Sequence, residues 1–180
     1  MTNYEWDDNQ FPLAYLITVR TYGTWLHGDE RGSVDRHGKN IYGTPRIAAN
    51  AQLKSLMTKE MASDPFILTS QIKTVDTEIR DVCEKRKYLL RALNVRTNHF
   101  HAVVSAQVKP LSIIGAFKSN ATRTLREKDL VSRDRIVWSL GRSRRYLWKP
   151  RDVELAIDYA INRQGGDLLE SFDSWMDRNA

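Results

Sequence analysis

Two β-rich runs, residues 88–95 and 99–105, are separated only by Arg96, Thr97 and Asn98. A link this short cannot make the crossover that a parallel pair requires, so the two runs must form an antiparallel hairpin. Residues 14–20 (AYLITVR) alternate and are also β-rich, which predicts a further strand. Helical composition marks residues 47–61 and 70–86, the second with Ile72, Val75, Ile79, Val82 and Cys83 at helical spacing. A basic helix is expected over 111–128, and one or two short strands around Gly141 within 135–149. Residues 151–164 carry an apolar stripe of Val153, Ala156, Ile157, Ala160 and Ile161, introduced by Pro150 and ended by Gly165 and Gly166. The fold class is therefore α+β, an antiparallel sheet with helices packed on it as a sandwich.

Hydrophobic residues make up 41% of the 180, enough for a core in a chain of this length. Neither an 18-residue apolar run nor a basic, apolar leader is present, so a cytoplasmic protein without a membrane partner is expected. The lone Cys83 cannot form an intramolecular disulfide and reads as a buried thiol. The stretch 21–45 is polar and punctuated by Gly23, Gly28, Gly32, Gly38 and Gly43, long enough to be functional rather than a passive link. The tail from Asp167 places Leu168, Leu169, Phe172, Trp175 and Met176 at helical spacing, to pack on the body or on a second subunit.

Charge is distributed unevenly. Residues 118–151 hold eleven Lys/Arg against three Asp/Glu, a local +8, whereas the chain as a whole is +6. All of the excess positive charge thus lies in one segment, interleaved with Trp138, Tyr146 and Trp148. Such a segment suits a polyanion, because neutralised phosphates release condensed counterions. Lys118, Arg123 and Arg126 on the basic helix, with Arg142, Arg144 and Arg145 beside Tyr146, are the candidate phosphate contacts. Arg20, Arg31 and Arg36 can add to this surface, and Trp138 or Trp148 can stack on unpaired bases.

The second strand of the hairpin contains Asn98-His99-Phe100-His101-Ala102-Val103-Val104. Residues two apart on a strand share a face, so His99 and His101 project together while Phe100, Ala102 and Val104 turn to the other side, toward a core. Two imidazoles on one face can ligate one metal ion, with further ligands from elsewhere. His27 and His37 lie in the glycine-punctuated loop and read as loop residues rather than ligands.

NHFHAVV resembles the HUH motif, two histidines flanking a bulky apolar residue, of the single-tyrosine transposases of insertion sequences and the REP-associated tyrosine transposases. The likeness extends to RALNVRTNHFHAVV as their strand-turn-strand and KSNATRTLRE as their basic helix. VWSLGRSRRYLW and DVELAIDYAINRQG resemble their C-terminal strand and nucleophile-bearing helix, so the whole covers residues 88–165. It implies an HUH transposase-like sandwich of ferredoxin or RRM type, one domain over 1–180. Residues 21–86 would be a glycine-rich loop and helical elaboration, and 167–180 a helical tail.

What the resemblance implies chemically is metal-dependent cleavage and strand transfer of single-stranded DNA through a 5′-phosphotyrosine intermediate. His99 and His101 would be metal ligands for Mg2+ or Mn2+, and Tyr159 the nucleophile, with Tyr146 in reserve. Gln164 would complete the metal site, but it follows Tyr159 by five residues rather than four. At about 100° per residue the two side chains diverge by roughly 140°. Tyr159 also lies off the apolar stripe, and Asn162 and Arg163 are the other candidates for the ligand. The expected partners are hairpin-forming DNA and a second copy of the chain. Two other readings stay open: an HUH fold that binds DNA hairpins but has lost cleavage, and a small zinc module acting on RNA.

Overall fold

A computed structural model describes residues 11–34 and 45–163. The strands are β1 (Ala14–Thr21), β2 (Leu89–Val95), β3 (His99–Ser105) and β4 (Trp138–Leu147), and the helices α1 (Ala51–Lys59), α2 (Ile72–Arg86), α3 (Pro110–Glu127) and α4 (Pro150–Asn162). The strands form one sheet in the order β2-β3-β1-β4, with every neighbouring pair antiparallel. The expected α+β sandwich is what the chain forms, and the hairpin at residues 96–98 lies where the sequence puts it. Instead of short pieces around Gly141, one ten-residue strand runs through that glycine. Backbone pairing with β1 carries it past the glycine, with one register shift between Val19 and Thr21.

Alternation splits β1 between two cores. Tyr15, Ile17 and Val19 join Phe100, Ala102 and Val104 of β3 beneath α2 and α3. Into this core α2 sends Val75, Ile79, Val82 and Cys83, and α3 sends Ile113, Ile114, Phe117, Ala121 and Leu125. Burial pushes the Cys83 thiol up to about 11, so it behaves as an apolar side chain. Lys87, at φ 57°, ends α2 in the left-handed conformation and donates its N–H to the Cys83 and Glu84 carbonyls.

The other face is covered by α4. Ala14, Leu16, Ala92, Val103 and Leu147 meet Val153, Ala156, Tyr159 and Ala160 there. Tyr159 therefore belongs to the buried side of α4, contrary to the stripe read from the sequence, and Ile161 is instead 48% exposed. The alanines at 156 and 160 let the helix approach the sheet closely, and the Tyr159 ring fills the space at its C-terminal end. No helix among the described residues is long and apolar enough to cross a membrane. Gln164, Arg36, His37, Gly165, Gly166 and the tail 167–180 lie outside the described residues.

Candidate active site

His99 and His101 occupy the α4 face of β3, both buried, with ring centroids 4.6 Å apart. Their places follow from strand alternation: Phe100 between them goes to the opposite core. Each Nδ1 has an oxygen partner. His99 Nδ1 is 2.6 Å from Asn98 Oδ1. In the tautomer that presents Nε2 to a cation, His99 Nδ1–H donates to that oxygen. His101 Nδ1 is 2.8 Å from Thr18 Oγ1 on the central neighbour β1. In the tautomer that presents Nε2 to a cation, His101 Nδ1–H donates to the Thr18 hydroxyl. Two imidazoles oriented in this way through their far nitrogens match the donor chemistry of a divalent metal site. No group of three or more His, Cys, Asp or Glu suited to a metal occurs among the described residues.

Tyr159 comes from α4, with its ring 5.3 Å from that of His101 and inclined at 72°. The helix is tied down where it carries this tyrosine: Asn94, which faces His101 across the β2–β3 pair, donates its side-chain N–H to the Ala160 carbonyl at 2.8 Å. Tyr146 is elsewhere. It pairs with Tyr15 across β1–β4 and so lies on the α2/α3 side of the sheet, stacked at 16° on Trp148. Asn162 and Arg163 both engage Asp158, at 2.7 and 3.2 Å.

The six candidate phosphate contacts divide between the faces. Lys118, Arg123 and Arg126 line a groove of about 660 Å³ on α3, together with Thr122 and Arg133. Lys118 donates to the Ser139 carbonyl at 2.7 Å, and burial, aided by Arg142, lowers it to about 8. Arg142 and Arg144 pair with Val19 and Ile17 on that side, whereas Arg145 pairs with Leu16 on the histidine side. Trp138 is partly buried, edge-on to Phe100 and bonded to Thr122, while Trp148 is 45% exposed. His27 holds the loop after β1 through Ser33 at 2.7 Å.

The family model described as "Transposase IS200 like" matches residues 61–151. The chain belongs to the IS200-like transposase family. The matched span runs through α2, the β2–β3 hairpin with both histidines, α3 and β4, and stops before Tyr159. This IS200-like chain is similar in fold to the structure of a REP-associated tyrosine transposase bound to a REP hairpin, at 13% identity and a TM-score of 0.50. That likeness covers 97% of this chain and 80% of the other. A protein of Deinococcus radiodurans R1, provisionally described as a transposase, aligns at 12% identity and a TM-score of 0.46, over 90% of this chain and 98% of the other. No curated protein matches the sequence.

Three polar residues that contact the histidines or the helix carrying Tyr159 escaped the reading of the sequence: Thr18, Asn94 and Asn98. A signal for the first exists in β1, whose alternate positions read Ala14, Leu16, Thr18, Arg20, turning polar at the histidine end. Asn94 carries no such pattern, because its partner Ala160 lies 66 positions along the chain, and Asn98, although next to His99, reads from the sequence only as a turn residue.

Proposed function

We propose that this chain cleaves and rejoins single-stranded DNA with Tyr159 as nucleophile, in a site where His99 and His101 hold a divalent ion, Mg2+ or Mn2+. The observation that supports it most is the packing of Tyr159 against His101, which joins the family's paired histidines to a tyrosine 58 residues on. The Tyr159 hydroxyl oxygen attacks the scissile phosphorus, a new O–P bond forms and the bond from phosphorus to the 3′ oxygen breaks. The phenol loses its proton and the departing 3′ oxygen gains one, leaving a 5′-phosphotyrosine and a free 3′-OH. The chemistry that a divalent ion supplies at the histidines is polarisation of the phosphate. Asn98 and Thr18 orient the two rings, and Asn94 fixes the helix that carries the nucleophile.

The phosphate contacts would come from Lys118, Arg123 and Arg126 on α3 with Arg142 and Arg144, and from Arg145 beside the site. A hairpin-forming single strand is the substrate that fits, since the structurally similar transposase is bound to a REP hairpin. The family resemblance further points to a homodimer, with Gln164 completing the metal site. A second reading, a hairpin binder that no longer cuts, draws on the burial of Tyr159 to 6% exposure.

Incubation with labelled hairpin oligonucleotides and Mn2+, followed by denaturing gels, tests both. A covalent adduct that disappears in Tyr159→Phe and in His101→Ala is the expected result. Tight binding without adduct would establish the non-cutting binder instead.

A further inference from the structure

The loop after β1 is organised around an indole. Trp25 donates its Nε1–H to the Gly32 carbonyl at 2.8 Å, which fixes the ring. The Arg31 guanidinium lies over that ring, 4.3 Å from its centroid. Asp29, itself buried, grips Arg31 at 2.6 and 3.0 Å and also takes Lys54 at 3.2 Å. Gly28, at φ 86°, accepts a hydrogen bond from Asn50 N–H at its carbonyl, and a Cβ there would meet the Asn50 carbonyl oxygen at 2.4 Å. The loop is thus locked against the start of α1.

Arg20 stands against this assembly, its guanidinium carbon 3.5 Å from the Trp25 centroid. On β1 it is the register partner of His99, so both point to the α4 face. A guanidinium that uses its flat face on an indole keeps its N–H donors, which lie in its plane, for an anion. Asp29, the acid nearest in influence, is taken up by Arg31 and Lys54. Burial lowers Arg20 to about 10, with Arg31 adding to the effect and Tyr159 and Asp29 opposing it, so it remains a cation at neutral pH.

We propose that Arg20 is a further catalytic residue: held over Trp25 beside His99, it contacts the scissile phosphate and offsets the charge that grows on its non-bridging oxygens as Tyr159 attacks. Trp25 is the positioning residue. The inference rests on the cleavage reading above, and the bond changes are those already given. It differs from general phosphate binding by the α3 groove, because Arg20 acts at the histidines and the groove lies across the sheet.

Two measurements decide it. In single-turnover adduct formation with hairpin oligonucleotides and Mn2+, Arg20→Lys should slow the reaction about 10²-fold, since an ammonium offers no planar fork. Hairpin affinity should change by less than about threefold, as one phosphate contact among several is altered. Trp25→Leu should slow it about tenfold, and should add little once Arg20 is already lysine. Independently, the full chain with Tyr159→Phe is labelled with 5-fluorotryptophan and titrated with a short oligothymidylate. The Trp25 resonance, assigned from its loss in Trp25→Phe, should shift on binding, and the shift should vanish when Arg20→Lys is added.

Adduct formation by Arg20→Lys at the wild-type rate, or a Trp25 resonance unmoved by bound oligothymidylate, overturns the proposal. If the wild type forms no adduct with any hairpin, the cleavage reading fails on its own. The fluorine shift then still decides whether Arg20 holds a phosphate, and it needs only the folded wild-type loop.

Discussion

The ring of Tyr159 meets that of His101 edge-on, with centroids 5.3 Å apart, although one sits on α4 and the other on β3. The pair is held by the alanines beneath α4 and by the Asn94 bond to Ala160. It separates the two candidate nucleophiles by a whole sheet. Tyr159→Phe is expected to abolish the covalent adduct, while Tyr146→Phe retains it within about threefold, since it removes only a hydroxyl on the far face. Denaturing gels of both variants with one hairpin substrate give the answer. Loss of the adduct in Tyr146→Phe alone would mean that α4 does not carry the nucleophile.

Thr18 touches no substrate in this scheme, yet it orients His101 through a 2.8 Å contact. Thr18→Val keeps the shape and removes the hydroxyl. Outer partners of metal-bound imidazoles are worth roughly 10- to 100-fold in affinity, and Mn2+ binding should weaken by about that much. Stability should fall by about 1–3 kcal/mol, the cost of depriving a buried polar group of a partner. Calorimetric titration with Mn2+ and thermal unfolding measure the two effects separately; unchanged Mn2+ affinity would remove Thr18 from the site.

Asn94→Ala deletes the side-chain donor to the Ala160 carbonyl. The expected cost is about 1–2 kcal/mol, and it should be local. Amide hydrogen exchange is predicted to quicken along α4 while α2 and α3 keep their protection. Uniform acceleration over all helices would show that α4 is not a separately anchored element.

Lys118 gives the chain a pH dependence of definite sign. Its ammonium is lowered to about 8 by burial, with Arg142 adding to the effect. The unfolded chain, with an ordinary lysine of about 10.4, binds more protons between these values, so this group makes folding more favourable as pH rises through that window. DNA binding should move the other way. As pH rises from 7 to 9, Lys118 loses its charge and hairpin affinity should weaken about two- to fivefold, the scale of one phosphate contact. Lys118→Arg, charged throughout, should flatten the profile. An identical slope in wild type and variant would exclude Lys118 from the interface.

The antiparallel hairpin, the helical spacing of α2 and the basic α3 were all readable from local pattern. Short-range geometry makes them so: a three-residue turn and a period of two leave little freedom over 88–105. The paired histidines on one face followed from the same alternation, and so did the core position of Phe100. The apolar stripe of α4 was read less well. Its sequence offers Ile157 and Ile161 as readily as Tyr159, and only docking against β2 and β3 selects the face that buries the tyrosine.

By itself, then, the sequence determined the α+β class, the HUH-type strand and the segment that carries the positive charge. Tertiary structure alone decided which tyrosine meets the histidines, which basic residues share a face and that Arg20 stacks on Trp25 beside His99. The physical reason is range. Alternation and helical period are properties of a few successive peptides, whereas Thr18 and His101, 83 positions apart, become neighbours only when β1 pairs with β3. No local pattern encodes that pairing, because its energy comes from burying two faces of the sheet at once.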